Sequence, residues 1–305
     1  MRIINRIFEL ATDRKERFVF LEGRGFYANA DDETYIKKRY YATFGHAIDL
    51  ENPSTISEKL QWLKLHDRNP IYTTMADKYA VRDYLTEKGA SELIVPLVGG
   101  PWINFDEIDF DALPDQFVLK CTHDSGGLYI CKDKSKMDKA AVKERVEHSL
   151  RRNYFMHGRE WPYKNIQPQI IAEQFLEDDV SDVLRVYKIF NFNGKPKIIQ
   201  MITNDKTSEE TINYYDTEWN LLNLRQNYPN GPLDERPALL EDMLNWAKIL
   251  SEGIPFLRTD FYISNGKIYF SEFTFYTDSG FAPYEPEEWD SILGSWIQLP
   301  EKEKS

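Results

Sequence analysis

The sequence is poor in several features that would each mark a class of protein. It has two cysteines, Cys121 and Cys131, in 305 residues. A secreted disulfide scaffold carries more, so a reducing cytoplasm is the expected setting. The two thiols flank a glycine-containing loop, where they could face each other. No run of about 18 apolar residues occurs, so no integral membrane segment is expected. The first residues lack the basic, apolar and small-residue order of a secretory signal. Basic charge is in deficit: 38 Lys and Arg stand against 50 Asp and Glu, a net charge of −12. Nucleic-acid binding needs a basic footprint and is not expected. An anionic small molecule remains admissible where lysines and arginines converge locally. His46, His66, His148 and His157 show no metal-binding spacing. Repeats and low-complexity linkers are absent.

What is present points to packed lobes. Hydrophobic residues make up 42% of the chain, enough for two or three cores. Aromatics reach 14%, which suits core packing first and sugar stacking second. Residues 1–114 read as a mostly helical region. In "SEKLQWLKLHD", Leu60 and Leu63 fall at helical spacing, Thr55 or Ser57 can cap the start, and Asn69-Pro70 marks the end. "YTTMADKYAVRDYLTEKG" continues the pattern through Met75, Tyr79, Val81 and Leu85 and stops at Gly89. "LIVPLVG" reads as a short buried strand. Residues 115–180 read as strand, glycine loop, strand, helix and strand. Residues 181–305 read as two hairpins with a helix between them. The class is α+β.

The stretch "FLRTDFYISNGKIYFSEFTF" carries the chemistry. Its two strands are β-branched and aromatic, yet they contain Arg258, Asp260 and Glu272, which are costly to bury unpaired. Alternation puts Leu257, Phe261 and Ile263 on one face and Arg258 and Asp260 on the other. Tyr269, Phe273 and Phe275 share a parity opposed to Glu272 and Thr274. The charged faces coincide across the hairpin when the loop has an odd number of residues. A three-residue Ser264-Asn265-Gly266 loop satisfies this. A two-residue Asn-Gly turn separates Asp260 from Glu272 unless a bulge elsewhere restores the register. Side-by-side carboxylates repel, and a hard cation such as Mg²⁺ resolves that with phosphate oxygens as its other ligands. A structural Arg258–Glu272 salt bridge is the plainer alternative.

Complementary parts lie upstream. Lys120 ends a strand and "THDSGG" follows, so backbone N–H groups of Ser125, Gly126 and Gly127 can approach phosphate, and His123 can touch it or shape the turn. In "IIAEQFLED", Gln174, Phe175 and Leu176 can line an adenine edge, with Glu173 accepting from its amine and Glu177 or Asp179 holding ribose. Lys188 is a cation inside a strand, placed to meet phosphate or to reach water.

The order strand-Lys, glycine loop, "E-x-x-L", strand-Lys, "R-x-D", "E-x-[NT]" resembles the ATP-grasp superfamily. "NPSTISEKLQWLKLHDRNPIYTTMADKYAVRDYL", "GREWPYKNIQPQIIAEQFLED" and "KIYFSEFTFYTDSGFAPYEPEEWD" are similar to the TupA-like family of teichuronopeptide and polysaccharide biosynthesis. The resemblance covers roughly residues 40–300. It implies an ATP-grasp fold, two α+β lobes clasping ATP behind a helical N-terminal region. It implies an ATP-dependent carboxylate–amine ligase using ATP and Mg²⁺. Lys120 and Lys188 would contact phosphates, with Lys78 or Arg82 as a further ATP-contacting base. The loop from His123 to Gly127 would cover the phosphates. Asp260 and Glu272 would bind Mg²⁺, with Thr274 where many relatives have asparagine. Arg258 would stabilise the transferring phosphoryl group. The implied substrates are a saccharide or small-molecule carboxylate, such as a uronic acid, and an amine. Peripheral association with polysaccharide machinery fits the same context. Arg159, Trp161 and Tyr163 can serve the acceptor or anchor the lid. A glycosyltransferase is the competing class, but the one D-x-D, Asp109-Phe110-Asp111, reads as an acidic loop. A saccharide-binding protein without turnover is the third reading. Residues 1–35 match no part of the pattern; "RFVFLEGRGFYANADD" could meet a partner or cover the acceptor.

Overall fold

The computed structural model describes residues 10–177, 184–203 and 208–301. Two antiparallel sheets form its frame. The first has strand order β1-β4-β2-β3, from β1 (Leu97–Trp102), β2 (Phe117–Cys121), β3 (Leu128–Cys131) and β4 (Ile170–Gln174). The second has order β7-β6-β5-β8-β9, from β5 (Val186–Phe192), β6 (Lys195–Thr203), β7 (Thr211–Tyr215), β8 (Phe256–Ser264) and β9 (Lys267–Thr274).

The helices are α1 (Arg14–Gly23), α2 (Asp32–Phe44), α3 (Ile56–His66), α4 (Ile71–Ala76), α5 (Val81–Glu87), α6 (Lys139–Leu150), α7 (Leu240–Leu250) and α8 (Glu288–Trp296). None of the described helices is long and apolar enough to cross a membrane. Thr55 caps α3 in a capping box with Glu58, so Thr55 rather than Ser57 sets its start. Asp138 caps α6 by accepting from the N–H groups of Ala140 and Ala141.

The expected continuous helix over "YTTMADKYAVRDYLTEKG" is broken. The Asp77 side chain accepts from Tyr79 N (2.8 Å) and Ala80 N (3.2 Å), which competes with helix propagation. The break separates α4 from α5 and frees Lys78 N to bond Thr122 O at 3.0 Å, tying this segment to the first sheet.

Residues ahead of β2 also contribute to the first sheet and its core. Strand β1 pairs with β4, and Phe105, Ile108, Phe110 and Leu113 pack with Phe117 and Leu119 under α6. Residues 97–113 therefore share the core of the first sheet. The larger core joins the second sheet to α3, α4, α5, α7 and α8. The cysteines do not face each other: Cys131 lies opposite Phe117 and Cys121 beyond the Lys120–Leu128 rung. Both are free and buried.

The β8–β9 turn differs from the three-residue expectation. Ser264 pairs with Lys267, so the loop is Asn265-Gly266, with φ of +49° and +72°. That is the left-handed pair a tight hairpin turn requires, and Gly266 meets it without a Cβ penalty. A bulge beside Asp260 then restores the register, since Asp260 faces Glu272 while Phe261 faces Phe270. As a consequence Phe270, not Tyr269, joins the apolar core. The β5–β6 hairpin repeats the device, with an Asn193-Gly194 turn and a bulge after Phe190.

Candidate active site

The bulge brings the charged side chains into rows across the second sheet. One row reads Lys188, Asp260, Glu272 across β5, β8 and β9, and the next reads Phe190, Arg258, Thr274. Asp260 is 1% exposed, and its two carboxylate oxygens accept from Arg258 Nε and Nη2, both at 2.8 Å. Glu272 Oε1 lies 3.9 Å from Arg258 Nη2, and Glu272 Oε2 lies 4.0 Å from Lys78 Nζ. The Glu272 side chain is 38% exposed, so this end of the row opens to solvent.

Electrostatics separates the two acids. Burial lifts the Asp260 carboxyl above its ordinary value, while Arg258 and Lys188 pull against it. Two donors on its two oxygens still make the carboxylate the form that fits. Burial also lifts Glu272, but Lys78, Arg258, Lys188 and Lys120 outweigh it and hold that carboxyl below the ordinary value. Burial lowers Arg258, and Asp260 more than restores it.

The facing wall comes from the first sheet. Lys120 Nζ lies 2.6 Å from Glu173 Oε2, and Arg82 Nη2 donates to Glu173 Oε1 at 2.8 Å. Burial lowers Lys120, but Glu173, then Tyr262 and Glu272, raise it overall. Tyr262 and Glu272 belong to β8 and β9, so Lys120 stands in the crevice between the sheets. Lys78 bridges the walls, donating from Nζ to Asp124 O of the glycine loop at 2.5 Å. In that loop Asp124 accepts from Gly127 N at 3.2 Å and from the Ser149 hydroxyl. A Cβ on Gly127 would lie 2.3 Å from Ser149 Oγ, so only glycine fits there. Ser125 and Gly126 stay exposed at the loop tip.

Residues 58–298 match the TupA-like ATP-grasp family. The chain belongs to that family. Its two-sheet α+β architecture is an ATP-grasp fold. None of the curated proteins matches the sequence. Solved structures similar to it include D-alanine–D-alanine ligase from Bacillus anthracis complexed with ATP, at 17% identity and TM-score 0.39, over 66% of this chain and 55% of that one. The D-alanine–D-alanine ligase of Helicobacter pylori follows at 14% identity and TM-score 0.38, over 79% and 64%. The ATP-grasp ligase PsnB, complexed with a minimal precursor, Mg and ADP, shows 10% identity and TM-score 0.38, over 83% and 64%. The chain thus spans between 55% and 64% of the length of these structures.

Within this ATP-grasp chain the crevice gathers Lys78, Lys120, Lys188, Arg258, Asp260 and Glu272, with Thr274 opposite Arg258. Lys78 and Arg82 divide their tasks, the first beside Glu272 and the second on Glu173. Glu173 is engaged by two cations, Arg82 and Lys120. Gln174, which ends β4, and Glu177 are exposed, and Phe175 and Leu176 between them are half-buried. Glu177 O accepts from the Ser264 hydroxyl, which ties this segment to the end of β8. Asp179 lies outside the described residues.

His123 is buried in the glycine loop. Its Nε2 lies 3.1 Å from Ser149 O and 3.2 Å from Arg152 O, so the ring fastens the glycine loop to the end of α6. Arg159 is buried over the Tyr35 ring and donates to Tyr27 O at 2.8 Å, which ties it to the segment between α1 and α2. Tyr163 packs against Tyr154.

Sequence reading missed a second buried charge cluster. Lys64 Nζ, on α3, donates to Gln61 Oε1 (2.9 Å), Gly158 O (2.7 Å) and Ser279 O (2.7 Å). Glu160 accepts from the Ser279 hydroxyl. Burial pulls Lys64 down to about 7, with Glu160 opposing the fall. The available signal was a lysine at i+4 from Leu60, on the stripe that α3 buries. Asp278 and Ser279 both take left-handed backbone, φ +46° and +53°, immediately beyond the site.

Proposed function

We propose that this protein is an ATP-dependent carboxylate–amine ligase that works through an acyl phosphate. The row Lys188–Asp260–Glu272 is the observation that carries the reading. It sets two acids side by side where Lys78, Lys120, Lys188 and Arg258 supply surplus positive charge.

That donor set fits Mg²⁺ held with ATP. Among the described residues no three His, Cys, Asp or Glu side chains gather around one point. Asp260 and Glu272 would therefore hold the ion with phosphate oxygens and water completing its shell, as a hard cation prefers. When bound, Mg²⁺ neutralises phosphate charge and orients the γ-phosphoryl group.

The chain's own groups supply the rest. Lys120 and Lys188 hold phosphate oxygens, and Ser125 and Gly126 at the loop tip cover them with backbone N–H groups, while Gly127 N–H holds Asp124 and so fixes the loop. Gln174, Phe175, Leu176 and Glu177 form the seat for the base and ribose, and Asp179 falls on the same segment. Arg258 leaves part of its grip on Asp260 to meet the γ-phosphate, where its guanidinium steadies charge as the phosphoryl group moves. The substrate carboxylate oxygen bonds to γ-phosphorus as the bond to the ADP oxygen breaks. The amine nitrogen then bonds to the acyl carbon, loses a proton, and phosphate leaves. Closure of the glycine loop keeps water from the acyl phosphate. His123 positions the glycine loop through its Nε2 contacts to the end of α6.

The acid is a uronic acid or related saccharide carboxylate, and the amine is an amino acid or small amine. The setting is cell-surface polysaccharide synthesis at the cytoplasmic face. A glycosyltransferase has no matching feature: Asp109 accepts from Asp111 N at 3.0 Å and closes its own turn. A phosphate-release screen pairing uronic acids with the standard amino acids tests the proposal. It expects ADP and phosphate only when an acid and an amine are both present. Nucleotide-sugar cleavage without ATP use overturns it.

A further inference from the structure

The helical hairpin ahead of the family's matched region carries a feature the reaction does not use. Helices α1 and α2 enclose a groove of about 340 Å³. Phe18 and Tyr27 stack in its wall with ring centres 4.5 Å apart and planes 12° apart. Tyr41 lines it too and is 50% exposed. Each charged side chain on the lining is basic: Arg14, Arg17, Lys37 and Lys38. That is against the balance of a chain of net charge −12.

Two of these cations are engaged already. Lys37 pairs with Glu33 at 2.5 Å, and Arg17 donates to the carbonyls of Leu10 (3.3 Å) and Ala11 (3.2 Å). The other two rest on aromatic rings: Arg14 lies 5.4 Å from the Tyr41 ring centre and Lys38 lies 5.7 Å from that of Tyr27. Among the described residues neither has a carboxylate partner within ion-pair distance. An aromatic face flanked by a guanidinium and an ammonium is the chemistry that takes a sugar ring bearing a carboxylate. The ring's C–H face stacks on tyrosine, and the carboxylate receives the fork of arginine donors. A flat lipid surface would leave a concave aromatic wall unused. The groove is also wired to the catalytic lobes. Tyr27 O accepts from Arg159, and the Tyr35 hydroxyl accepts from Gly158 N at 2.9 Å.

We infer that the α1–α2 groove is a binding site for an acidic oligosaccharide, separate from the ATP crevice. It holds a carboxylated polymer chain while the reaction proceeds elsewhere on the molecule. Only the reason for such a chain being at hand rests on the ligase reading; the groove's chemistry does not.

Calorimetry on the full chain without ATP tests this. The probes are a tetramer of glucuronic acid, a neutral glucose tetramer and hexaglutamate. The acidic sugar is expected to bind; the neutral sugar, which lacks the carboxylate, and the peptide, which lacks a ring to stack, are each expected to bind about tenfold more weakly. Arg14→Glu with Lys38→Glu, and separately Tyr41→Ala, should each weaken the acidic sugar while leaving MgATP affinity unchanged. These side chains lie on the surface, and unchanged MgATP affinity confirms folding. No binding, binding that survives the double charge reversal, or hexaglutamate binding equally well overturns the inference. Failure of the phosphate-release screen leaves this result standing, so the two claims fail separately.

Discussion

Two buried charge clusters lie near each other and are built on opposite plans. Around Lys64, each of the ammonium's donors has an acceptor within 2.9 Å, and Glu160 is satisfied by Ser279. In the crevice, Lys78, Lys120, Lys188 and Arg258 crowd Glu272, whose side chain is 38% exposed. The first cluster is closed and joins three distant segments, α3, residues 158–160 and the turn after β9. The second is open on one side and holds more positive charge than its acids need. Closed networks fix structure, and an unbalanced one beside solvent is poised for an anion.

Breaking one partner in each cluster should separate them. Lys64→Ala leaves the Gly158 and Ser279 carbonyls without their ammonium donor and opens a cavity at a fully buried site, and a loss of about 2–5 kcal/mol in urea unfolding is expected. Replacing both Lys64 and Glu160 with apolar residues of similar volume should recover most of it. Glu272→Gln should act the other way. Phosphate release in the acid–amine screen should fall by about 10²–10³, as for loss of a charge-positioning group. Its unfolding free energy should change by less than about 0.5 kcal/mol, because the side chain is partly solvent-exposed.

The pH dependence sharpens the contrast. Burial brings Lys64 down to about 7 in the folded chain, below its unfolded value. From pH 7 upward the unfolded chain binds more protons there, so stability rises with pH, by at most about 1.4 kcal/mol per unit. Below the folded value the slope vanishes. Thermal unfolding of the native protein between pH 7 and 9 should show this rise, and Lys64→Met should flatten it. The smallest effect is expected at His123. His123→Ala loses a hydrogen bond to the end of α6, about 1 kcal/mol of stability, with phosphate release per folded molecule little altered.

Much of the crevice was legible in sequence because strands make residue parity a spatial statement. Lys188, Arg258, Asp260 and Glu272 could be read as charges inside apolar strands, and the structure sets them in adjoining rows. Of the two turns the sequence allows, the structure has the shorter. Asn265-Gly266 alone closes the hairpin, and a bulge near Asp260 does the work assigned to a longer loop. A bulge leaves no residue signature here, so only pairing reveals it. The break at Asp77 was hidden for a related reason, since helical spacing continues through Val81 while a side chain takes the amides the helix needs. His123 lies in the glycine loop by sequence, but its ring direction depends on the packing of α6. The carbonyls that Lys64 reaches, Gly158 O and Ser279 O, are more than 90 residues away, in segments whose meeting no local pattern encodes.

MgATP titration of the native protein against the Asp260→Asn, Glu272→Gln double variant tests the central claim most directly. The row Lys188–Asp260–Glu272 predicts that the double change weakens ATP at least about tenfold. It also predicts that Mg²⁺ no longer improves the remaining affinity. Equal affinity in both proteins, with Mg²⁺ dependence intact, would contradict it.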